Sequence, residues 1–225
     1  MKLRILATLL MIAATSIYSY VSFNILPVQL EHPRYVKVTN TGEHLMPWQG
    51  PWACVADEKT GLLWGVKTDD ESIHDADWTY SWFNGQLGAP DKGDCFYQDG
   101  RCDTQALIKR TNAQGLCGNH NWRLPTPKEL VSLLQNNDRP NQARIATDFF
   151  PRIKNSDYWT ISANKSLDQQ YRHLKHGALA FNLFEGKENP LPYRNAAFVV
   201  LVSKPHREGH TSQMTLTSIN QRSNE

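Results

Sequence analysis

The stretch Trp122-Arg123-Leu124-Pro125-Thr126-Pro127-Lys128-Glu129-Leu130 carries the most complete local instruction in the chain. Thr126 offers a capping hydroxyl, Pro127 takes the first helical position, where a missing N–H costs nothing, and Glu129 stands third, where its carboxylate reaches back to the cap. Leu130, Leu133 and Leu134 then share one face, so a helix begins at Thr126. In front of it, Trp122 and Leu124 are expected in the core and Arg123 is expected to be held by a carboxylate such as Glu129, or by loop carbonyls. Trp52, Trp64, Trp82 and Trp159 are read in the same way, as buried indoles supplying apolar area, with stacking on a sugar as the alternative.

Working outward, Asp103 to Gln114 predicts a second helix, with Asp103 as N-cap and Gly115 ending it in the left-handed conformation. Trp52–Ala56 and Leu62–Val66, separated by Asp57-Glu58-Lys59-Thr60-Gly61, read as a hairpin. Further strand-like runs are Tyr158–Ser162, Ala178–Phe184 and Ala197–Val202, the last rich in apolar and β-branched residues and so expected centrally in a sheet. Strands at both ends with two helices between them predict an α+β fold. No internal repeat of solenoid or propeller length is present.

The whole chain has 225 residues, with 24 basic and 22 acidic side chains and a formal charge of +2. That balance excludes the strong field that drives general binding to nucleic acid. At the N-terminus, Lys2 and Arg4 precede an uncharged, apolar run from Ile5 to Phe23. Residues 1–23 are therefore expected to be a signal peptide, with Ala14-Thr15-Ser16 a candidate cleavage site, or an uncleaved anchor in the inner membrane with its basic end in the cytoplasm. Residues 24–47 read as a stalk, 48–203 as the folded domain and 204–225 as a disordered tail.

Four cysteines, Cys54, Cys95, Cys102 and Cys117, form an even set within the part expected outside the cytoplasm. Two disulfides are the default there, in any of three pairings, and a zinc site is the rival reading. Asp99-Gly100 is a turn signal that favours Cys95 with Cys102, leaving Cys54 for Cys117. The second bridge closes a loop of about 64 residues, a constraint worth roughly 4 kcal/mol in the chain-entropy picture.

Several strings in order resemble a bacterial family, the domain at the C-terminus of the Legionella collagen-like adhesin. They are Trp52-Ala53-Cys54-Val55, Thr60-Gly61-Leu62-Leu63-Trp64, Thr79-Tyr80-Ser81-Trp82, Cys102-Asp103-Thr104, Gly115-Leu116-Cys117-Gly118, Trp122 to Thr126 with Glu129-Leu130, and Tyr158-Trp159. The resemblance implies a C-type-lectin-like fold: a twisted, mostly antiparallel sheet, two helices and long disulfide-stapled loops. It also implies surface recognition, since the adhesin member binds sulfated glycosaminoglycans; fold likeness alone does not carry function. Asn121 stands where the family usually has Asp, which removes one charge partner for Arg123.

Two clusters bear on ligands. Asp69-Asp70-Glu71 with Asp75 and Asp77 offers oxygen atoms to calcium without a recognisable spacing, and a solvated loop is the simpler reading. Arg172-His173-Leu174-Lys175-His176 is the densest basic run. With Arg194, and with Arg152, Lys154 and Lys187, it is expected to form a patch for a sulfate, carboxylate or phosphate group, against the plainer reading of a solvated loop that blocks edge pairing. His173 and His176 also have a spacing that suits a metal on a helix, without a third ligand. No G-x-S-x-G elbow, phosphate loop or H-E-x-x-H is present.

The favoured expectation is an exported, non-enzymatic recognition or adhesion module that binds a glycan or anionic polymer and needs no cofactor. The alternatives are a protein-interaction component of an envelope or pilus assembly, and a hydrolase using Asp157 or His173.

Overall fold

The computed structural model describes residues 34–96, 101–135 and 145–205. The N-terminal apolar segment, the first part of the expected stalk, the Asp99-Gly100 turn and the tail from residue 206 lie outside the described residues. A compact unit begins at Tyr35.

Its first sheet has the order β2-β1-β3-β4-β9, formed by β1 (Tyr35–Val38), β2 (His44–Leu45), β3 (Cys54–Asp57), β4 (Leu62–Gly65) and β9 (Val202–Ser203), all antiparallel. β3 and β4 are the expected hairpin, two residues shorter than the apolar runs suggest at the start of β3. β1 and β2 fall within the stretch expected to be a stalk. Tyr35–Val38 is a strand because all four of its residues register with Cys54–Asp57, a tertiary pairing that local pattern does not reveal.

The second sheet is built around β7 (His176–Asn182). One edge of β7 pairs with β8 (Lys187–Leu191); the other pairs with β5 (Asp157–Trp159) toward its end and β6 (Lys165–Ser166) at its start. Strands approach closely here: a Cβ at Gly177 would collide with the Leu191 carbonyl. Helix α1 (Thr104–Gln114) starts on the Asp103 cap, whose carboxylate accepts from Ala106 N–H, and ends at Gly115 with φ 65°. Helix α2 (Pro127–Leu133) has the full capping box of Thr126 and Glu129. Short 3-10 turns cover Leu116–Gly118 and Gln169–Leu174. The architecture is α+β, with two antiparallel sheets and two disulfides.

Ala197–Val202 departs from expectation. Only Val202 belongs to a strand; the rest is extended chain crossing between the sheets, buried except for the half-buried Phe198. Phe198 bridges Tyr158 of the second sheet, the Leu201 carbonyl accepts from Gly65 N–H, and Val202 pairs with Trp64 of the first. Burial on all sides explains its apolar composition as well as a central strand would.

The core has two parts, split by the alternation of side chains along β3 and β4. Cys54, Ala56 and Leu63 face a group with Leu107, Trp82, Trp122 and Trp159. Val55, Leu62 and Trp64 face Leu130, Leu133, Phe150, Tyr158 and Phe181. The first sheet is thus covered on both faces, which is why every residue of β3 and β4 is buried.

Tryptophans also pin the irregular segments. Trp159 Nε1–H donates to Tyr80 O at 2.6 Å, Trp82 Nε1–H to Thr160 O at 2.8 Å and Trp122 Nε1–H to Leu116 O at 3.0 Å. Each indole provides apolar area and also satisfies a buried carbonyl that no regular strand serves. Trp64, Trp82, Trp122 and Trp159 are buried and Trp52 is half-buried. The sugar-stacking alternative therefore does not hold for the buried four.

The bridges join Cys54 to Cys117 and Cys95 to Cys102, the pairing that the turn signal favours, and no cysteine is free. With every sulfur oxidised, the zinc reading falls away, because zinc takes thiolates.

Candidate functional site

The structure separates the cations into those it uses and those it leaves available. Arg123 forms a paired fork with Glu129, its two terminal nitrogens donating at 2.8 and 2.6 Å, while Glu129 also accepts from Thr126 N–H at 2.7 Å. The hydrogen bond to Glu129 raises the Arg123 guanidinium further above its ordinary value. Partial burial pushes the Glu129 carboxyl up, but the bonds from Arg123 and Thr126 outweigh it and hold the group below the usual carboxylate range. This pair locks the start of α2 to the chain before it, a structural role.

Arg152 and Lys154 were expected to join the basic patch and do not. Arg152 is ion-paired with Asp69, and Lys154 donates to Asp77 at 2.6 Å. The acidic loop is thereby neutralised from outside. Two of its other carboxylates are occupied within it: Asp70 accepts from Thr68 Oγ and Ser72 N–H, and Asp75 accepts from the N–H groups of Glu71 and Asp77. The Thr68 hydroxyl lowers the Asp70 carboxyl first, assisted by Ser72. Among the described residues, no three His, Cys, Asp or Glu side chains converge to hold a metal ion.

The remaining basic run lies where β7 begins. The 3-10 turn carrying Arg172 and His173 connects β6 to β7, and His176 registers with Ser166. β8 ends opposite Ala178, so Pro192, Tyr193 and Arg194 continue toward the same end, where Tyr193 Oη accepts from Asn164 N–H at 2.9 Å. Arg172, His173, Lys175, His176 and Arg194 are thus brought to one end of the second sheet, all exposed, with Lys165 beside them. Lys187 is at the far end of β8 and takes no part.

Partnering distinguishes this end from the rest of the surface. Seven arginines lie among the described residues: Arg34, Arg101, Arg110, Arg123, Arg152, Arg172 and Arg194. The first five each make an ion pair, hydrogen bond or other interaction; the side chains of Arg172 and Arg194 make none. Lys175 is held with φ 62° and ψ −59°, a conformation rare for a residue with a side chain, by the bonds of its N–H to Arg172 O and its carbonyl to Leu167 N–H. His173 and His176 do not share a helix face, because the turn stops at Leu174 and His176 is already in β7. That removes the metal spacing.

The hydrolase residues are also not brought together. Asp157 registers with Asn182 and His173 precedes His176, so they stand at opposite ends of β7, about 20 Å apart at strand spacing. The Asp157 carboxylate accepts from the amides of Asn182 and Asn189 at 3.2 and 3.4 Å, a role in holding strands.

Two features escaped sequence reasoning. One is a groove of about 470 Å³ along α1, lined by Phe83, Arg101, Gln105, Ala106, Lys109 and Arg110 among others. The other is a pair of half-buried titratable groups, Lys67 and His74. Burial, eased by Asp75, brings the Lys67 amine down to about 8; burial and then the Lys67 charge push His74 down to about 4, against the hydrogen bond to Gln114.

An α+β unit stapled by two disulfides, with its cysteines all paired, is a class of domain that fits an extracytoplasmic location. More specifically, residues 53–203 match the family described as the Lcl C-terminal domain, and the chain belongs to that family. The match begins after β2, so β1 and β2 extend the first sheet beyond the shared part. No curated protein and no solved structure matches the chain.

Proposed function

We propose that this protein is an exported, non-enzymatic adhesion module that recognises a glycan or anionic polymer at the end of the second sheet where β7 begins. The observation that carries this reading is the lack of any partner for Arg172 and Arg194, two exposed arginines gathered with Lys165, Lys175 and the two histidines. Guanidinium groups match sulfate and carboxylate through paired hydrogen bonds, and arginines without an internal carboxylate are free to make them. Membership of an adhesin-associated family supports recognition as the task, and the long disulfide-bridged loops around two small sheets support a C-type-lectin-like fold.

The apolar N-terminus supports export. Whether cleaved or retained as an anchor, it lies outside the described residues, and no described helix is long and apolar enough to cross a membrane. A glycan array probed with the full chain tests the reading: acidic glycans bind, and Arg172→Ala with Lys175→Ala removes the signal. Absence of binding to every acidic glycan, or binding unaltered in that variant, counts against it.

A second reading, docking to an envelope protein, has its own observation. Met46 and Trp48 are 57% and 76% exposed beside the two-residue edge strand β2. Trp48→Ser would then abolish a stoichiometric partner on purification from membranes, whereas a monomer unaffected by the change contradicts it.

A further inference from the structure

Seven tryptophans stand among the described residues, and one is unlike the rest. The indole N–H groups of Trp52, Trp78, Trp82, Trp122 and Trp159 each donate to a backbone carbonyl, and Trp64 is fully buried. Trp48 is 76% exposed and its N–H has no partner. It does not hang loose. Met46 to Gln49 is a β-turn closed by Gln49 N–H on Met46 O at 2.9 Å, with Pro47 at the second position, which its ring favours, and Trp48 at the third. The Gln49 side chain reaches back as well, its Oε1 accepting from Met46 N–H at 2.8 Å. Lys37 Nζ donates to Pro47 O at 3.0 Å and lies 3.8 Å from the centre of the Trp52 ring, whose own N–H donates to Phe149 O. Phe149 in turn packs on Tyr35, with ring centres 5.4 Å apart. A firmly held turn therefore displays Trp48, with the 57% exposed Met46 beside it, at the end of the first sheet where Tyr35 begins β1.

We infer that this turn is a membrane-contact surface, Trp48 and Met46 seating in the headgroup region of a bilayer that holds the apolar run from Ile5 to Phe23. Three observations carry it. The chain passes from that run into β1 through only eleven residues, 24–34, which fully extended reach roughly 40 Å. With the run in a bilayer, the start of β1 is tethered beside it, and the start of β1 is where Trp48 stands. Next, the match to the family begins at residue 53, so β1, β2 and the turn form an addition between the apolar run and the shared domain. Last, the surface suits lipid better than protein. An aromatic side chain presents about 150 to 250 Å², and even with Met46 the patch falls well short of the roughly 800 Å² per partner that a stable protein interface buries. An indole whose N–H is unused suits the membrane interface, because the ring meets acyl chains while the N–H stays with water and headgroup oxygens. Gln49, Gly50 and Pro51, which follow, carry no charge, so the contact needs no anionic lipid. The inference is independent of the β7-end reading and gives the turn a lipid occupant in place of the protein partner considered above.

The full chain reconstituted into phosphatidylcholine vesicles, with bromine placed at different depths along the acyl chains, tests this by fluorescence quenching. The emission of Trp48 is read as the difference between the parent and Trp48→Phe, a change at an exposed position. That difference is expected to shift to the blue on reconstitution and to lose most of its intensity, more so with bromines near the headgroups than with bromines at the bilayer centre. Met46→Ser should weaken the quenching, whereas added salt, and Arg172→Ala with Lys175→Ala, should leave it unchanged because the contact is uncharged. A Trp48 emission that brominated lipid does not quench overturns the inference. Quenching that disappears in salt or in the β7-end variant overturns it too, since the basic cluster would then be the lipid-facing surface. Shielding of Trp48 only when other membrane proteins are present assigns the turn to a protein partner instead. Mass spectrometry of the protein from its native host supplies a second check: the intact N-terminus is expected, and a mature chain cut within or after the apolar run removes the tether and the inference with it.

Discussion

Arg123 and Arg172 are the same residue type in opposite circumstances. Arg123 has a carboxylate, a carbonyl and half-buried surroundings; the Arg172 side chain stands exposed without a partner. The cation that is satisfied within the fold serves the fold, and its charge is spent before any ligand arrives. The cation without a partner contributes little to stability and keeps its hydrogen-bonding capacity for something outside. The acidic loop shows the same rule from the other side, because Arg152 and Lys154 neutralise Asp69 and Asp77 and are thereby removed from the proposed recognition surface.

The largest effect that sharpens this contrast comes from the staple on which both regions depend. Cys54→Ser with Cys117→Ser should cost roughly 4 kcal/mol, given a separation of 63 residues, and denaturant unfolding at fixed pH measures it. That is a large fraction of the stability of an ordinary domain. A loss below about 1 kcal/mol would show that packing of the Trp-rich core alone sets the fold.

Next comes Glu129→Ala, which removes the Arg123 fork and half of the capping box together. The expected loss is about 2 kcal/mol, or a fall in Tm of roughly 4–8 °C for a unit of this size. Arg172→Ala should stay within about 0.5 kcal/mol of the parent. Equal losses in the two variants would break the comparison.

A pH effect follows in size. His74 is held near 4 from an ordinary 6.5, so on acidification the unfolded chain takes up a proton before the folded one does. Stability from this group is complete above 6.5 and is lost as pH falls toward 4. Lys67, lowered from 10.5 to about 8, acts in the same direction at alkaline pH, stability rising between 8 and 10.5. Glu129 adds to the acid loss as it becomes protonated, because its folded value is depressed. His74→Gln should flatten the Tm profile between pH 6.5 and 4 and leave it unaltered at neutral pH; an unaltered slope would show that His74 is hydrated. The smallest expected effect is that of chelation. We expect EDTA to leave Tm unchanged, since Asp69 and Asp77 already have cationic partners, and a drop would reinstate the calcium reading of that loop.

Legibility followed the range of the interactions. The N-caps of α1 and α2 were readable because Asp103 and Thr126 act on N–H groups three residues away. β1 and β8 were not. Lys-Glu-Asn-Pro-Leu has no strand character of its own, and it becomes β8 as an outer strand with Pro190, because β7 offers a full edge. Ala197–Val202 misled in the opposite way, since a buried crossing and a central strand demand the same side chains. The Arg172 cluster was visible as a run of basic residues, but whether any arginine is paired depends on contacts such as Asp69 with Arg152, remote in sequence. The α1 groove was hidden because Ala106 and Ala113 look like ordinary helix formers until Phe83 is placed beside them.

The most direct test measures binding and stability on the same two variants. Against long dextran sulfate, at a temperature where both are folded, Glu129→Gln should bind like the parent while melting lower, and Arg172→Ala with Arg194→Ala should melt like the parent while losing at least about tenfold in affinity, the equivalent of one or more charge-assisted contacts. Parent-like affinity in the Arg172/Arg194 variant would contradict the claim that the unpartnered arginines are the recognition surface.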